Sequence, residues 1–448
     1  MVYKKLNKIE LFIILLTALL ISLVYASLNF NYLSNWIDEK GDVLTYDYYV
    51  RLGVPQFLFN PHHIGFDWAG EQLYKTLLKN GYTGKSMIVL QIRNLLASSI
   101  GLGVIFFLFY SISKKYFLSL LVVISYCFTA AYWMYSQIND TPIIHSILVF
   151  VLFLSALYFP QAKRKMLFAL FLGTLHAITI FFHQSDLIMM PVILFIMLFH
   201  NLFSNDREQK LFQLHLIIYI IAYLTIFSII VITAYYYVGI ILVGLTFDYE
   251  KATDFNMIKK ASYFFNWLIL YSKIDYWGKG FEDMSLFQKI VHGISTYFYQ
   301  PQSFKGTPLG HNFQNLFAPY AILPNLIGII FVTVLGGSIV FFKHIFQKYR
   351  YAFIGCILYM VIYTAFTCWW EADYREFWVA PMFSFWFLML LFFSAILDSN
   401  KNFLPLIKTF SYTTLFLLAS LLFYFNFTGF IKPNIGRTYT TYEIIRKK

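Results

Sequence analysis

Apolar runs of about 20 residues recur along this chain from end to end, and no other feature constrains its fold so tightly. Each run is long enough to cross about 30 Å of hydrocarbon as an α-helix. Inside a bilayer the backbone must satisfy its own N–H and C=O groups, so a spanning segment is a helix or a strand of a closed barrel. The alternating ten-residue segments of a barrel are missing from the sequence. The chain therefore reads as an all-α polytopic membrane protein. Of its 448 residues 59% are hydrophobic and only 12% charged, about half the charge of a soluble domain. Mean hydropathy is +0.63.

About eleven spans are expected, near residues 11–29, 87–112, 116–134, 143–159, 166–182, 187–203, 212–240, 322–342, 351–368, 377–396 and 403–425. The first run is longer than the apolar part of a signal peptide, so it is expected to stay as an anchor helix despite Val24-Tyr25-Ala26. Short connections on one side collect Lys4, Lys5, Lys8, Lys114, Lys115, Lys163, Arg164, Lys165, Arg207, Lys210, Lys343, Lys348, Arg350 and Lys401. The positive-inside rule makes that side cytoplasmic, with the N-terminus inside and the C-terminus outside. Of the 22 acidic residues only Glu10, Asp206, Glu208 and Asp398 fall there. The net charge of +12 is thus mostly topological, and nucleic-acid binding drops out. Cys127, Cys356 and Cys368 form no CxxC pair or disulfide framework.

Two long outer loops, 30–86 and 241–321, lack linker composition. In the first, Asp67 is expected to cap a helix with Ala69, Leu73, Leu77 and Leu78 at helical spacing, Lys75 and Lys79 opposite, and an end at Asn80-Gly81. It reads as a helix lying on the membrane surface. Residues 255–300, with Phe264, Trp267, Leu268 and Tyr271, read the same way.

The expected chemistry sits in the first loop, DEKGDVLTYDYYVRLGVPQFLFNPHHIGFDW from Asp38 to Trp68. Close carboxylates raise one another's pKa, which suits Asp38, Asp42 and Asp47 to general-base work or to a divalent metal; a plain solvated loop is the bland alternative. No third or fourth ligand at zinc spacing accompanies His62 and His63, which directs them toward substrate or phosphate. Arg93, about two turns inside the second span, either faces a polar cavity or snorkels to the head groups. Asp140, His183 and Asp186 lie in short outer turns; helix capping is the competing role for the two aspartates. The cluster Trp369–Trp378 contains Glu371, Glu376 and Arg375, a bidentate phosphate clamp or a local ion pair set in an aromatic belt.

The retained first helix, the acidic outer loop with surface helices, the acid after the third span and the long later loop together resemble the GT-C superfamily of membrane glycosyltransferases. Asp42, Tyr46, Gly53 and Asn60-Pro61-His62-His63 are similar to the acid, glycine and proline-turn pattern of its protein O-mannosyltransferase-like branches, and His183-Gln184 resembles a short motif there. Pro-His-His stands where His-Pro-Pro is more usual. The resemblance covers residues 1–240; residues 241–448 correspond to the superfamily's variable module. It implies inverting transfer of a sugar from a polyprenyl-phosphate donor to a glycan, lipid or protein acceptor outside a bacterial cytoplasmic membrane. Asp42 is then the base, while Arg93, Arg375 and His62 face the departing phosphate. An O-antigen-type polymerase or ligase, centred on Arg375 and His311, is the competing enzyme reading. A lipid or solute transporter is the competing class.

Overall fold

The computed structural model describes residues 7–30, 33, 42–60, 63–202, 209–238, 285–298, 322–370, 375–399 and 404–432. Asp38, His62, Glu371, His311 and the residues Phe264, Trp267, Leu268 and Tyr271 lie outside them. The described residues are helical, without strands. In order they form α1 (Lys8–Phe30), α2 (Asp42–Leu52), α3 (Pro55–Leu58), α4 (Phe66–Lys79), α5 (Ser86–Ser113), α6 (Tyr116–Cys127), α7 (Ala130–Tyr135) and α8 (Pro142–Ala156). Then follow α9 (Lys165–Phe182), a 3-10 turn (Gln184–Met189), α10 (Met190–Leu202), α11 (Gln209–Tyr236), α12 (Leu286–Phe298), α13 (Ile322–Val340) and α14 (Phe342–Trp370). A second 3-10 turn (Arg375–Trp378) leads into α15 (Val379–Ser399), followed by α16 (Leu404–Asn426).

Among these, seven helices are long and apolar enough to cross a bilayer: α1, α5, α9, α11, α14, α15 and α16. The other four expected span positions carry shorter apolar stretches, Tyr116–Cys127, Pro142–Ala156, Gln184–Phe199 and, within α13, Gly328–Val340. The reasons are local. The third expected span breaks at Phe128-Thr129 into α6 and α7, and the sixth opens as the 3-10 turn rather than as α-helix. The basic connection expected at 343–350 falls within α14, whose backbone leaves helical geometry at Tyr349 (φ −121°, ψ 25°). There the buried Tyr349 hydroxyl pairs with Ser394 at 2.6 Å, and Lys348 bridges to Asp398.

The helices pack as two compact units, and α5 belongs to both, changing over at Asn94–Leu95. These units interleave along the chain. One unit holds α1, the later part of α5, α6, α7 and α12 to α16. At its centre α15 is buried without interruption from Phe383 to Leu391 and touches α6, α13, α14 and α16. A helix that is apolar on every side belongs in such a position. By contrast α1 leaves Phe12, Leu16, Leu19 and Leu23 exposed, a face that only lipid can cover without cost.

The other unit holds α2 to α4, the start of α5, and α8 to α11. Here α9 runs against α11 and α8, while α2, α3 and α4 pack on one another. Val50, Leu58 and Ile64 of the first loop share one apolar cluster with Leu90 of α5, Ala177 and Ile180 of α9, and Phe227 and Val231 of α11. Each such side chain removed from water contributes about 1.5–3 kcal/mol, which fastens the loop onto the helices.

Helix α4 ends as the sequence predicts, at Asn80 with Gly81 in the left-handed region. Its start differs: Gly65 occupies the cap position, and Asp67 lies inside the first turn, 1% exposed. The aspartate is turned inward, so it does not cap. The predicted apolar stripe Ala69, Leu73, Leu77 and Leu78 stays at least partly exposed, and the buried face is Phe66, Asp67, Gly70 and Glu71. At Gly70 a Cβ would sit 2.5 Å from Leu90 Cδ2 and 2.9 Å from Arg93 Nη1, so α4 rests directly on α5. Gly70→Leu is expected to cost on the order of 3 kcal/mol. A lower thermal midpoint in detergent micelles will report it, with Leu78→Ala, on the exposed side, near neutral.

Candidate active site

The polar centre of the α9-containing unit is built from three stretches far apart in sequence. The first follows α2, which ends at Gly53: its φ of +63° suits glycine, and its N–H bonds the Tyr49 carbonyl at 3.0 Å. Pro55 then opens α3, as a proline does at a helix start. Beyond it, His63 N–H bonds the Asn60 carbonyl at 3.0 Å, and Gly65 N–H bonds the Phe181 carbonyl at the end of α9 at 2.7 Å. These bonds fix the His63 turn. The His63 ring is buried, edge-on to Tyr46 at 5.1 Å, with Nδ1 3.7 Å from Asp67 Oδ2.

The second stretch is the start of α5. Arg93 does not snorkel outward. Its Nη1 donates to the Phe66 carbonyl at 2.7 Å, and its Nη2 donates to Asn94 Oδ1 at 3.1 Å and to Asn139 Oδ1 at 3.2 Å. The guanidinium also lies 3.9 Å from the Phe66 ring centre. Asn94 in turn donates to the Ile138 carbonyl at 2.8 Å and the Asp140 carbonyl at 2.6 Å. One arginine and one asparagine thus bind α4, α5 and the turn before α8 together. Asp140 Oδ1 accepts the Thr141 N–H at 2.6 Å, a bond to its chain neighbour rather than a cap on α8, whose cap position is Thr141.

The third stretch is the turn after α9. Asp186, fully buried, faces His145 of α8, with Oδ1 3.2 Å from Nδ1. The His145 and His183 rings stack at 4.6 Å, and His183 Nδ1 pairs with the Ser185 hydroxyl at 2.5 Å. The Asp186 carbonyl accepts from His176 Nε2 at 3.0 Å, so Nδ1 of that ring is left to accept from the Tyr223 hydroxyl at 2.6 Å. Asp186 therefore does not cap the following helix; it ties α8 to α9. His183, Arg93 and His145 all act electrostatically on His63.

Asp47 is also committed. One carboxylate oxygen accepts from Ser86 at the start of α5, and the other accepts Arg51 Nε at 3.0 Å. It positions α2 against α5. Asp42 is the first residue of α2, one turn before Tyr46; Arg375 stands on the 3-10 turn before α15. Reading the sequence missed Asp67, His145 and His176. The two histidines carried a signal, since an imidazole inside an apolar helix is costly and needs a partner. Among the described residues no three His, Cys, Asp or Glu side chains are grouped to hold a metal ion.

No family model and no curated protein matches this chain. Among solved structures it is similar to the archaeal oligosaccharyltransferase AglB from Archaeoglobus fulgidus, in complex with an inhibitory peptide and a dolichol-phosphate. The TM-score is 0.51 at 13% identity, over 92% of this chain and 55% of that one. A second structure of the Archaeoglobus fulgidus oligosaccharyltransferase, with zinc and sulfate, aligns at a TM-score of 0.47 and 14% identity, over 91% and 52%. The first alignment shows a shared fold with AglB; the chain spans about half of AglB's length.

Burial, first, and the neighbouring His183, second, push the His63 pKa from 6.5 down to about 3. Burial and His145 lower that of His183 as well. An unfolded chain protonates below pH 6.5 where the folded one does not. Their stabilising contribution is therefore complete above that pH and is lost as pH falls toward 3. From pH 7.5 to 5, His63 alone should remove about 2 kcal/mol, and His63→Gln should flatten the pH dependence of thermal unfolding.

Proposed function

We propose that this protein is a membrane glycosyltransferase that moves a sugar from a polyprenyl-phosphate donor to a hydroxyl or amine acceptor at the outer face of a bacterial cytoplasmic membrane. The observation that carries the reading is the buried polar centre where Arg93, Asn94, Asn139, His63 and Asp67 meet, on a chain with the fold of AglB. AglB is described in complex with dolichol-phosphate, a polyprenyl-type phosphate, and with a peptide; the lipid-linked donor and an acceptor follow from that likeness.

The transfer is inverting. An acceptor oxygen or nitrogen attacks the anomeric carbon as the bond to the phosphate oxygen breaks; the base takes the acceptor proton, and the phosphate leaves on its lipid. Asp42 is the proposed base, with Asp38 as alternate, since both oxygens of Asp47 are occupied by Ser86 and Arg51. Arg93 and the histidines His62, His63 and His183 receive the phosphate charge, and Asp140 lines the same centre. A divalent cation on the acidic loop is compatible with this chemistry and is not required by it.

Proteoliposomes supplied with a polyprenyl-phosphate sugar test the reading. Asp42→Asn should lower transfer by about 10²-fold or more without loss of the folded protein, whereas Arg93→Ala should lower transfer and stability together, since its bonds also hold α4, α5 and the turn before α8. Full activity in Asp42→Asn would remove it as the base. One observation favours a transporter instead: the buried pair His145–Asp186, a charge-capable contact at an apolar helix. Solute flux with no lipid-linked sugar present would decide for that class.

A further inference from the structure

The unit centred on α15 contains an apolar cavity of about 350 Å³. Its first wall is α12, a helix started by a reciprocal cap: Gln288 N–H donates to Ser285 Oγ at 3.3 Å, and Ser285 N–H to Gln288 Oε1 at 2.8 Å. One residue per turn of α12, Leu286, Ile290 and Ile294, lines the space. Thr364 and Cys368 of α14 and Trp378 before α15 close it. A cavity lined this way holds no water, which needs two or more polar partners, and gives a sugar nothing to bond. Its volume lies near the low end of the roughly 300–1,000 Å³ typical of ligand sites, room for a stretch of one slender hydrocarbon chain.

The rim carries a cation. Lys289 precedes Ile290 on α12, is only partly exposed, and acts electrostatically on the Cys368 thiol inside the cavity. An amphipathic helix of this kind lies at head-group level, where a lysine meets lipid phosphate. We propose that the cavity holds one acyl chain of an anionic phospholipid of the surrounding bilayer, its phosphate paired with the Lys289 ammonium. A methyl-branched polyprenyl chain is thicker along its whole length and suits the space less well. The site is independent of the glycosyl-transfer reading, because none of its residues belongs to the proposed catalytic set.

The cavity supplies its own reporter, since Cys368 lines it while Cys127 and Cys356 are buried elsewhere. The full chain in nanodiscs of phosphatidylcholine, with or without phosphatidylglycerol, is treated with N-ethylmaleimide, and bound lipid is counted by native mass spectrometry. Phosphatidylglycerol is expected to slow Cys368 labelling at least fivefold and to remain on the protein at one copy. Lys289→Gln should weaken that retention about ten-fold, the effect of losing a charge-assisted bond. Ala365→Phe, which fills the cavity from its wall, should abolish the retention, and circular dichroism verifies its folding. Equal labelling rates with and without phosphatidylglycerol, unchanged retention in Lys289→Gln, or retention of an added polyprenyl phosphate in preference to phosphatidylglycerol would each overturn the proposal.

Discussion

A guanidinium set two turns into an apolar helix must find acceptors inside the protein, and in this chain Arg93 finds them on three separate elements. The Phe66 carbonyl lies at the start of α4, Asn94 on its own helix, and Asn139 in the turn before α8. Each bond is charge-assisted, stronger than a neutral one and costly to leave unmade. The planar fork reaches all three at once, which a lysine's single ammonium does not. Gly70 makes room for it, because any side chain there would meet Nη1. The surrounding loop, helix and turn hold their places through this one side chain.

The histidines follow a related logic. His63, His145, His176 and His183 are all buried, and each has a defined neighbour: Asp67, Asp186, Tyr223 and Ser185. Burial opposes charge on an imidazole, and His63 and His183 are held neutral near pH 7. A neutral ring donates with one nitrogen and accepts with the other, so these residues form directional links rather than a field of positive charge. The positive charge of the site rests on Arg93. Asp47, midway along α2, has a simpler part, joining α2 to the first residue of α5.

Much of the architecture was legible in the residues themselves. Hydrophobic runs marked the long helices, and Asn80-Gly81 marked the end of α4. The density of acids and histidines between α1 and α5 marked the loop that now lies over the polar centre. What pattern alone misjudged were residues with two uses. Asp67 and Asp186 both stand where a cap is chemically reasonable, yet both side chains turn inward to histidines. A local rule sees the helix end; it does not see an imidazole 41 residues away in sequence, as for His145 and Asp186. The connection at 343–350 keeps a break between the two expected spans at Tyr349, where the backbone leaves helical geometry beside the Lys348–Asp398 ion pair.

The sequence by itself determined the solvent and therefore the class. A backbone in hydrocarbon has no water to bond, and long apolar runs then have one solution, the helix. Tertiary structure alone decided which polar residues share a site. Apolar burial is non-directional and specifies only that helices pack, whereas the bonds of Arg93, Asn94 and Asp186 require particular atoms within about 3 Å. Those partners come from stretches 27 to 46 residues apart in the chain, a separation that no periodicity records.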